Sequence, residues 1–251
     1  MSGKGGLFIA GTDTGIGKTH TAVAIVRALC RRGLQVAVMK PVAAGAVDTP
    51  AGLRNEDALA LIHAANVAAD YSLVNPYCLR APVSPHLAAA EEGVRLDRSR
   101  VGRAFETLAQ HADCVVVEGA GGWLAPIGEC ETMADVARTL ALPIVLVVGL
   151  KLGCLSHAQL SARAIEADGL HLAGWIANQV DPRFERMAEN VATLERLLGR
   201  APLALLPHAR VPGHLIGAAH EASRSCALPD STADALVEVL RAAPRTGRAQ
   251  A

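Results

Sequence analysis

The stretch from Leu7 to Thr19 reads LFIAGTDTGIGKT and decides how the rest of the chain is interpreted. Its apolar start is a candidate strand, a glycine-rich loop follows, and a helix-like pattern continues over residues 22–32. Such a loop aims backbone N–H groups, the positive end of the helix dipole and a lysine at one small volume. The stretch therefore predicts a site for the phosphates of a nucleotide, with Lys18 on the phosphates and the Thr19 hydroxyl placed for magnesium.

The loop departs from the common phosphate-loop spacing. The pattern G-x-x-x-x-G-K-[ST] requires a glycine at position 12, but this chain has Thr12 there and carries Gly11 one residue earlier. The loop is therefore longer by one residue. That difference narrows the set of related proteins before any substrate is considered.

Length and composition favour one large α/β domain. The chain has 251 residues, of which 51% are apolar and 23 are glycine, so it can bury a full core. We expect a single domain over residues 1–243. The polar and basic tail over residues 244–251 is expected to be disordered.

Charge and hydropathy argue against nucleic-acid and membrane partners. The formal net charge is zero, which gives no electrostatic reason to bind nucleic acid or an anionic membrane. The longest apolar stretch, residues 140–150, is interrupted by Pro143 and is well short of the roughly 20 residues of a spanning helix. The first residues also lack the pattern of an export signal. We therefore expect small-molecule ligands and a cytoplasmic location.

Short apolar runs alternate with helix-like segments along the chain. The later candidate strands lie at residues 35–39, 114–117, 143–148, 172–177 and 203–206. The later candidate helices lie at residues 96–110, 133–140, 157–167, 187–198 and 233–242, with Ser156 as the expected N-cap of the third. Continuously apolar strands are typical of a parallel sheet that is buried on both faces. The pattern predicts an α/β fold of the P-loop NTPase type, a doubly wound, mostly parallel sheet with helices on both faces.

Ligands of such a sheet bind at the carboxyl ends of its strands, where this chain places several charged residues. Glu118 ends a candidate strand, and a carboxylate buried there is costly unless a cation such as Mg²⁺ compensates it. The alternative is that Glu118 caps the next segment. Lys40 also follows a strand, but position alone fits a solvated lysine equally well. Asp57 could simply belong to the acidic first turn of a helix, where negative charge favours the dipole.

Taken together, the motifs resemble those of the dethiobiotin synthetase family. In addition to the phosphate loop, the matching motifs are KPVA at 40–43, LRNEDA at 53–58, VNPY at 74–77, SPH at 84–86, VEGAGGW at 117–123, VGLKLGC at 148–154 and GWIAN at 174–178. They follow the family's order over residues 7 to about 210. Many NTPases share the loop, whereas the whole set is specific to this family.

The resemblance implies an ATP- and Mg²⁺-dependent ligase of biotin biosynthesis that acts as a homodimer. In that family one amine of 7,8-diaminononanoate captures CO₂ as a carbamate, and a carbamate oxygen then attacks the γ-phosphate of ATP. The second amine displaces phosphate and closes the cyclic urea of dethiobiotin. Transfer between two anions needs charge neutralisation and alignment more than covalent help.

The resemblance also implies roles for particular residues. The catalytic pair would be Lys40 and Lys18, and Mg²⁺ would be held or oriented by Thr19, Asp57 and Glu118. The other residues in contact with ATP would be Gly15, Ile16, Gly17, His20, Gly119, Ala120, Gly121, Asn178, Gln179 and Pro207. Of these, Asn178 would hydrogen-bond the adenine, and the segment near Pro207 would close the base pocket.

The substrate contacts implied by the resemblance lie in three places. Thr14 would face the substrate, Lys40 would sit where carbamate and γ-phosphate meet, and Ala44 lies where relatives often carry a serine. The helix-start turn with Gly153, Cys154 and Ser156 would receive the substrate carboxylate across the dimer interface. Gly15 is a second departure, since some relatives have glutamate there. Neither change touches the phosphate or metal groups, so we expect altered affinity rather than an altered reaction.

Two other classes share a similar loop and remain the alternatives. An amidoligase of the cobyrinic acid diamide synthase type is accompanied by a glutaminase domain with a nucleophilic cysteine, for which this chain has no room. A ParA- or MinD-like switch ATPase would carry a lysine at the start of the loop, where this chain has Gly11. Such a switch often has an amphipathic C-terminal helix, which we do not expect here.

Overall fold

The computed structural model describes residues 5–208 and 227–242, and its centre is a six-stranded sheet. The strands in chain order are β1 (Gly5–Gly11), β2 (Val36–Met39), β3 (Val42–Ala43), β4 (Val47–Thr49), β5 (Gly52–Arg54), β6 (Tyr77–Cys78), β7 (Cys114–Glu118), β8 (Ile144–Leu150), β9 (Leu172–Gln179) and β10 (Ala204–Leu206). The order across the main sheet is β10-β9-β8-β1-β7-β2, and every neighbouring pair is parallel. Two small pairs stand apart from it, β3 with β6 and β4 with β5.

Helices cover both faces of the main sheet. They are α1 (Lys18–Arg31), α2 (Glu56–Ala64), α3 (Tyr71–Val74), α4 (Pro85–Glu91), α5 (Arg98–Gln110), α6 (Met133–Leu140), α7 (Cys154–Ala167), α8 (Met187–Leu198) and α9 (Asp230–Ala242). Alternate residues of β1 enter two separate cores, Leu7 and Ile9 on the side of α1 and α9, and Phe8 and Ala10 on the side of α5, α6 and α7. Because a strand points successive side chains to opposite faces, a strand buried on both faces must be apolar throughout.

The predicted fold class is confirmed, and each predicted strand and helix is present within a few residues of its expected bounds. The prediction that Ser156 is the N-cap of α7 is wrong. The helix begins earlier, at Cys154, and Gly153 occupies the cap position. None of the helices in the described residues is long and apolar enough to cross a membrane. The tail over residues 244–251 lies outside the described residues, and the single-domain arrangement stays a prediction.

The chain between β2 and β7 was the least predictable part of the fold. The strands in it have two or three residues each, too few to show a periodicity. The partner of β3 lies far along the chain, as in the pairing of Val42 with Tyr77, whereas β4 and β5 pair locally with each other within residues 47–54. This segment contains α2, which places Asp57 at the carboxyl edge of the sheet.

Helix α6 begins with a charged cap whose contribution to stability depends on pH. The Thr132 N–H donates to Asp135 Oδ2 at 2.7 Å, and Arg138 pairs with the same carboxylate. Burial alone would raise the pKa of Asp135, but these partners outweigh it and hold that pKa below its usual value. We expect Asp135→Asn, which keeps the shape and removes the charge, to lower the free energy of unfolding by about 1 kcal/mol at pH 7.

A depressed carboxyl pKa stabilises the folded state above the unfolded-state pKa of about 4. The stabilisation is lost as the pH falls through the lower, folded-state pKa of Asp135. Urea unfolding of both proteins at pH 7 and at acid pH tests this, and the gap between them should close in acid. An equal gap at both pH values would show that the charge is not the cause.

Candidate active site

The carboxyl ends of three neighbouring strands, β1, β7 and β2, meet at one cavity of about 800 Å³. From the loop after β1 and the start of α1, the predicted site residues that line it are Thr14, Gly15, Gly17, Lys18, Thr19 and His20. From the other elements they are Lys40, Ala44, Asp57, Glu118, Ala120 and Gly121. The structure therefore brings the predicted phosphate, metal and substrate residues of the main sheet edge into one space.

The phosphate loop is closed by its own lysine. Lys18 is the first residue of α1, and its Nζ donates to the Asp13 carbonyl oxygen at 2.7 Å. The lysine stem lies across Gly11, where a Cβ would come within 2.8 Å of Lys18 Cδ. Burial lowers the pKa of Lys18 to about 8, with the nearby Lys40 charge acting in the same direction. Lys18 is thus a poorly solvated cation to which a phosphate would be a favourable partner.

Lys40, Asp57 and Glu118 form an ionic cluster beside the loop, in which Lys40 and Glu118 are buried and the Asp57 side chain is 42% exposed. Lys40 Nζ lies 2.5 Å from Glu118 Oε1 and 2.8 Å from Asp57 Oδ2, and the Thr19 hydroxyl donates to Glu118 Oε1 at 2.8 Å. Glu118 is 0% exposed and Lys40 is 4% exposed. The sequence left open whether Lys40 and Asp57 are functional or belong to the solvated surface. The structure brings the two side chains into contact in one cluster.

Electrostatics fix the charge states within this cluster. Burial alone would lower the pKa of Lys40, but the Asp57 and Glu118 carboxylates raise it above its usual value. For Asp57, burial would raise the pKa, yet the Lys40 ammonium outweighs it and the pKa falls. Burial raises the pKa of Glu118, and Lys40 offsets this only in part. Lys40 is accordingly a fixed positive charge, which costs free energy to remove from beside a buried carboxylate.

The second oxygen of Glu118 is the feature that best fits a cation at this site. Glu118 Oε2 is buried and has no hydrogen-bond partner in the described residues, although buried carboxylate oxygens are normally satisfied. In residues 5–208 and 227–242, no group of three or more His, Cys, Asp or Glu side chains could hold a metal. Two carboxylates and the Thr19 hydroxyl nevertheless suit Mg²⁺, which commonly takes one or two carboxylates and completes its shell with phosphates and water.

The residues predicted to contact the base lie at the ends of the next strands. Asn178 is 5% exposed, and its Nδ2 donates to the Ile16 carbonyl oxygen at 2.8 Å, which ties β9 to the phosphate loop. Gln179 Oε1 accepts from the His208 N–H at 3.3 Å, beside Pro207 at the end of β10. The segment after 208 lies outside the described residues until 227. Adenine contacts therefore stay a prediction.

Two predicted nucleotide contacts lie behind the cavity wall. Ile16 is 1% exposed and does not line the cavity, although its neighbours Gly15 and Gly17 do. Gly119 donates its N–H to the Ile9 carbonyl oxygen at 3.0 Å and so continues the pairing of β7 with β1. Both residues shape the wall of the site, and a direct contact with ATP remains a prediction for each.

The turn before α7 lies outside this cavity. Gly153 adopts φ 95° and allows the chain to turn into the helix, Cys154 is buried, and Ser156 is exposed in the first turn. The expected capping by Ser156 is wrong because the helix starts two residues earlier than that serine. Within one copy of the chain, the turn does not line the space that holds Lys40.

One site residue was missed by the sequence reasoning. Lys151 Nζ donates to Asp13 Oδ2 at 2.8 Å and so links the end of β8 to the phosphate loop. The hydrogen bond from Lys151 is the main reason why the pKa of Asp13 lies below its usual value. A signal was present, because the chain has four lysines against 20 arginines and three of the four prove to lie at this edge.

The fold and the loop together define a P-loop nucleotide-binding α/β protein. A family model described as an AAA domain matches residues 5–211. Among solved structures, the MinC:MinD cell division protein complex of Aquifex aeolicus matches with a TM-score of 0.57 and 16% identity over 93% of this chain and 96% of that chain. A ParA family ATPase from Chlorobium tepidum TLS matches with a TM-score of 0.56 and 14% identity over 94% and 99%. At such identities these matches show the fold alone.

Closer relatives identify the family. The chain is 51% identical over 200 residues to the ATP-dependent dethiobiotin synthetase BioD of Xanthomonas euvesicatoria pv. vesicatoria, covering 78% of this chain and 89% of that protein. It is 52% identical over 215 residues to the protein of the same name from Pseudomonas aeruginosa, covering 83% and 94%. The chain belongs to the ATP-dependent dethiobiotin synthetase family, which confirms the family that its motifs predicted.

Proposed function

We propose that the protein joins CO₂ to 7,8-diaminononanoate and closes the ring, using ATP and releasing dethiobiotin, ADP and phosphate. The observation that carries the proposal is the ionic cluster of Lys40, Asp57 and Glu118, which shares one cavity with the phosphate loop. Membership of the dethiobiotin synthetase family supports an ATP-dependent ligase of biotin biosynthesis. The site therefore combines a loop that can bind phosphates with a second positive charge, that of Lys40, which is held in a fixed position.

The phosphates of ATP would lie on the loop from Gly15 to His20, where backbone N–H groups and the start of α1 favour anions. Lys18 is mostly protonated at neutral pH because its pKa is about 8. When ATP binds, the poorly solvated ammonium of Lys18 would gain direct contact with phosphate oxygens. The segment from Gly119 to Gly121 would close the other side of the triphosphate.

Magnesium would be held by Thr19, Asp57 and Glu118, together with phosphate oxygens and water. When bound, this ion supplies neutralisation of the phosphate charge. The buried Oε2 of Glu118 supports this assignment, since it has no hydrogen-bond partner among the described residues and a cation would provide one.

The reaction proceeds in three steps. One amine of the substrate loses a proton and attacks CO₂, which forms the C–N bond of a carbamate. A carbamate oxygen then attacks the γ-phosphorus, and the bond to ADP breaks. Finally the second amine attacks the carbon of the phosphorylated carbamate and loses a proton, which expels phosphate and closes the five-membered urea ring.

The residues act on this sequence through charge and position. Lys40 is held in place by Glu118 and Asp57, and its charge would neutralise the carbamate oxygen as that oxygen approaches the γ-phosphate. Lys18 would stabilise the negative charge that collects on the transferred phosphoryl group and on ADP. No side chain needs to form a covalent bond to the substrate.

The diamine would lie along Thr14 and Ala44, and its carboxylate would bind the turn of Gly153, Cys154 and Ser156 from a second copy of the chain. This proposal of a homodimer is supported by the position of the turn outside the cavity of its own chain. Leu152, in the same turn, is 93% exposed, and its apolar side chain would be buried against the second copy of the chain in a dimer. We propose a cytoplasmic enzyme whose partners are small molecules and its own second copy.

We expect the wild-type protein to form ADP only when both diaminononanoate and bicarbonate are present, and to form dethiobiotin in equal amount. Coupled ADP release with chromatographic detection of the product measures both. Reactions that lack one substrate serve as controls. ATP hydrolysis without either substrate, increased by a protein or by lipid, would instead indicate a switch ATPase. A requirement for glutamine as a nitrogen donor would indicate an amidoligase.

A further inference from the structure

A closed circuit of hydrogen bonds runs behind the ionic cluster and joins Lys40 to Asp57 by a second route. In order, it passes through the Asn75 side chain, the Tyr71 hydroxyl, and the backbone N–H and side chain of Asn55. Its ends are the backbone of Lys40 and the first turn of α2, and the Lys40–Asp57 ion pair closes it. None of these three connecting residues lines the cavity.

Asn75 fixes the backbone at Lys40. The Asn75 side chain donates from Nδ2 to the Lys40 carbonyl oxygen at 2.7 Å and to the Tyr77 carbonyl oxygen at 3.1 Å. The Lys40 N–H donates to the neighbouring Val74 carbonyl oxygen at 2.7 Å. Both backbone polar groups of Lys40 are therefore held by residues 74–75, and Asn75 is itself 3% exposed.

Asn55 fixes the helix that carries Asp57. As the N-cap of α2, its Oδ1 accepts the N–H groups of Asp57 at 3.0 Å and of Ala58 at 3.4 Å. Its Nδ2 donates to the carbonyl oxygen of Ala44, a cavity residue, at 3.1 Å. The position of the Asp57 carboxylate thus depends on where Asn55 lies.

Tyr71 joins the two asparagines through a single oxygen. Its hydroxyl accepts the Asn55 N–H at 2.8 Å and donates to Asn75 Oδ1 at 3.1 Å, and Cys78 Sγ lies 3.5 Å from it. Burial raises the pKa of Tyr71, so the hydroxyl keeps the proton that it donates. The Arg54 guanidinium lies over the ring, 4.1 Å from its centre, and helps to hold it.

We propose that Tyr71 is a positioning residue for the ligase reaction, whose hydroxyl sets the distance between the Lys40 ammonium and the Asp57 carboxylate. This inference rests on the proposed function for its kinetic consequence. Without the hydroxyl, the Asn55 N–H and Asn75 Oδ1 would each lose a partner, and the hydrogen-bonded link behind the Lys40–Asp57 ion pair would be broken. Small displacements of charged groups at a reacting centre lower the rate more than they lower binding.

The experiment compares Tyr71→Phe with Tyr77→Phe. The Tyr77 hydroxyl accepts the Asp97 N–H at 2.7 Å, outside the circuit, so the control removes a comparable hydrogen bond from the other tyrosine of the chain. We expect Tyr71→Phe to lower kcat about tenfold with KM for ATP changed less than about twofold. For Tyr77→Phe we expect kcat to stay within about twofold of the wild-type value.

A similar kcat for the two variants would overturn the proposal, as would a Tyr71→Phe defect found only in KM for ATP. A double-mutant cycle sharpens the result, because the effects of Tyr71→Phe and Asp57→Asn on kcat should be less than additive if they act through one cluster. Full additivity would place the action of Tyr71 elsewhere. If the wild-type protein makes no dethiobiotin, the proposed function fails, and the spectroscopic test below still decides the link itself.

That second test needs neither turnover nor a folded Tyr71→Phe variant. Labelling with 3-fluorotyrosine gives two ¹⁹F resonances because the chain has two tyrosines, and Tyr77→Phe assigns them. We expect Asp57→Asn to shift the Tyr71 resonance and to leave that of Tyr77 in place. The matched change Asp48→Asn, at an exposed residue paired with Arg80, should move neither. An unmoved Tyr71 resonance in Asp57→Asn would overturn the link.

Discussion

Replacing Lys40 by methionine will lower the turnover number at least about 100-fold, which corresponds to about 2.7 kcal/mol of transition-state stabilisation. The reason is the loss of the fixed positive charge that would face the carbamate and the γ-phosphate. Methionine keeps most of the volume of the lysine stem, so packing changes little. ATP binding should be largely kept because the phosphate loop is intact, and steady-state kinetics with a separate nucleotide-binding assay measure the two effects.

The same substitution has a structural cost that must be separated from the kinetic one. Glu118 is fully buried and pairs with Lys40, and removing one partner of such a pair costs about 3–5 kcal/mol of stability. The double variant Lys40→Met, Glu118→Gln removes the uncompensated charge. We expect it to recover most of the free energy of unfolding while turnover stays low. Near-normal turnover in the double variant would exclude Lys40 from the mechanism.

Replacing Gly17 by alanine will weaken ATP binding by about 100-fold, or roughly 3 kcal/mol. Gly17 adopts φ 80°, and a Cβ there would lie 2.1 Å from Asn178 Nδ2. The left-handed backbone costs an L residue about 1–2 kcal/mol. The collision would also push the Asn178 amide away from the Ile16 carbonyl oxygen and distort the loop. Titration of the purified variant with ATP, followed by calorimetry, measures the loss.

Gly15 provides a matched control in the same loop. It adopts φ 71°, but none of the residues that the structure describes places an atom within 4 Å of the Cβ that a substitution would add. Gly15→Ala therefore carries the backbone strain without the collision, and we expect a loss of no more than about tenfold in affinity. An equal loss in the two variants would show that the contact with Asn178 does not set the shape of the loop.

Local patterns predicted those parts of the molecule that local interactions create. The apolar runs at residues 114–117 and 143–148 gave strands because strands buried on both faces need unbroken apolar sequence. The segment with Ser156 was misjudged because Gly153 in a left-handed conformation starts α7 earlier than a side-chain cap would. The short strands β3 to β6 were missed, since two or three residues are too few to show a period. The pairing of β3 with β6 also joins distant parts of the chain, whereas β4 and β5 pair locally.

The functional site also has parts that local sequence predicted and parts that it did not. The loop, its lysine and the Thr19 hydroxyl were predictable as a unit because they are neighbours in sequence. For Lys40 and Asp57, residue type and position alone allowed a surface role. The family resemblance implied a role for both residues, and their contact became apparent only from the fold. Lys151 and Tyr71 gave weaker signals still, because each acts through a partner in another part of the chain.

By itself, then, the sequence determined that a phosphate loop follows the first strand of a parallel α/β sheet, because strand, turn and helix periodicities are written in consecutive residues. The tertiary structure decided that Lys40 meets Glu118, which lies 78 positions away. That contact follows from β7 lying between β1 and β2, which brings the carboxyl ends of all three strands to one cavity. Such an order is fixed by packing across the whole sheet, which no local pattern encodes.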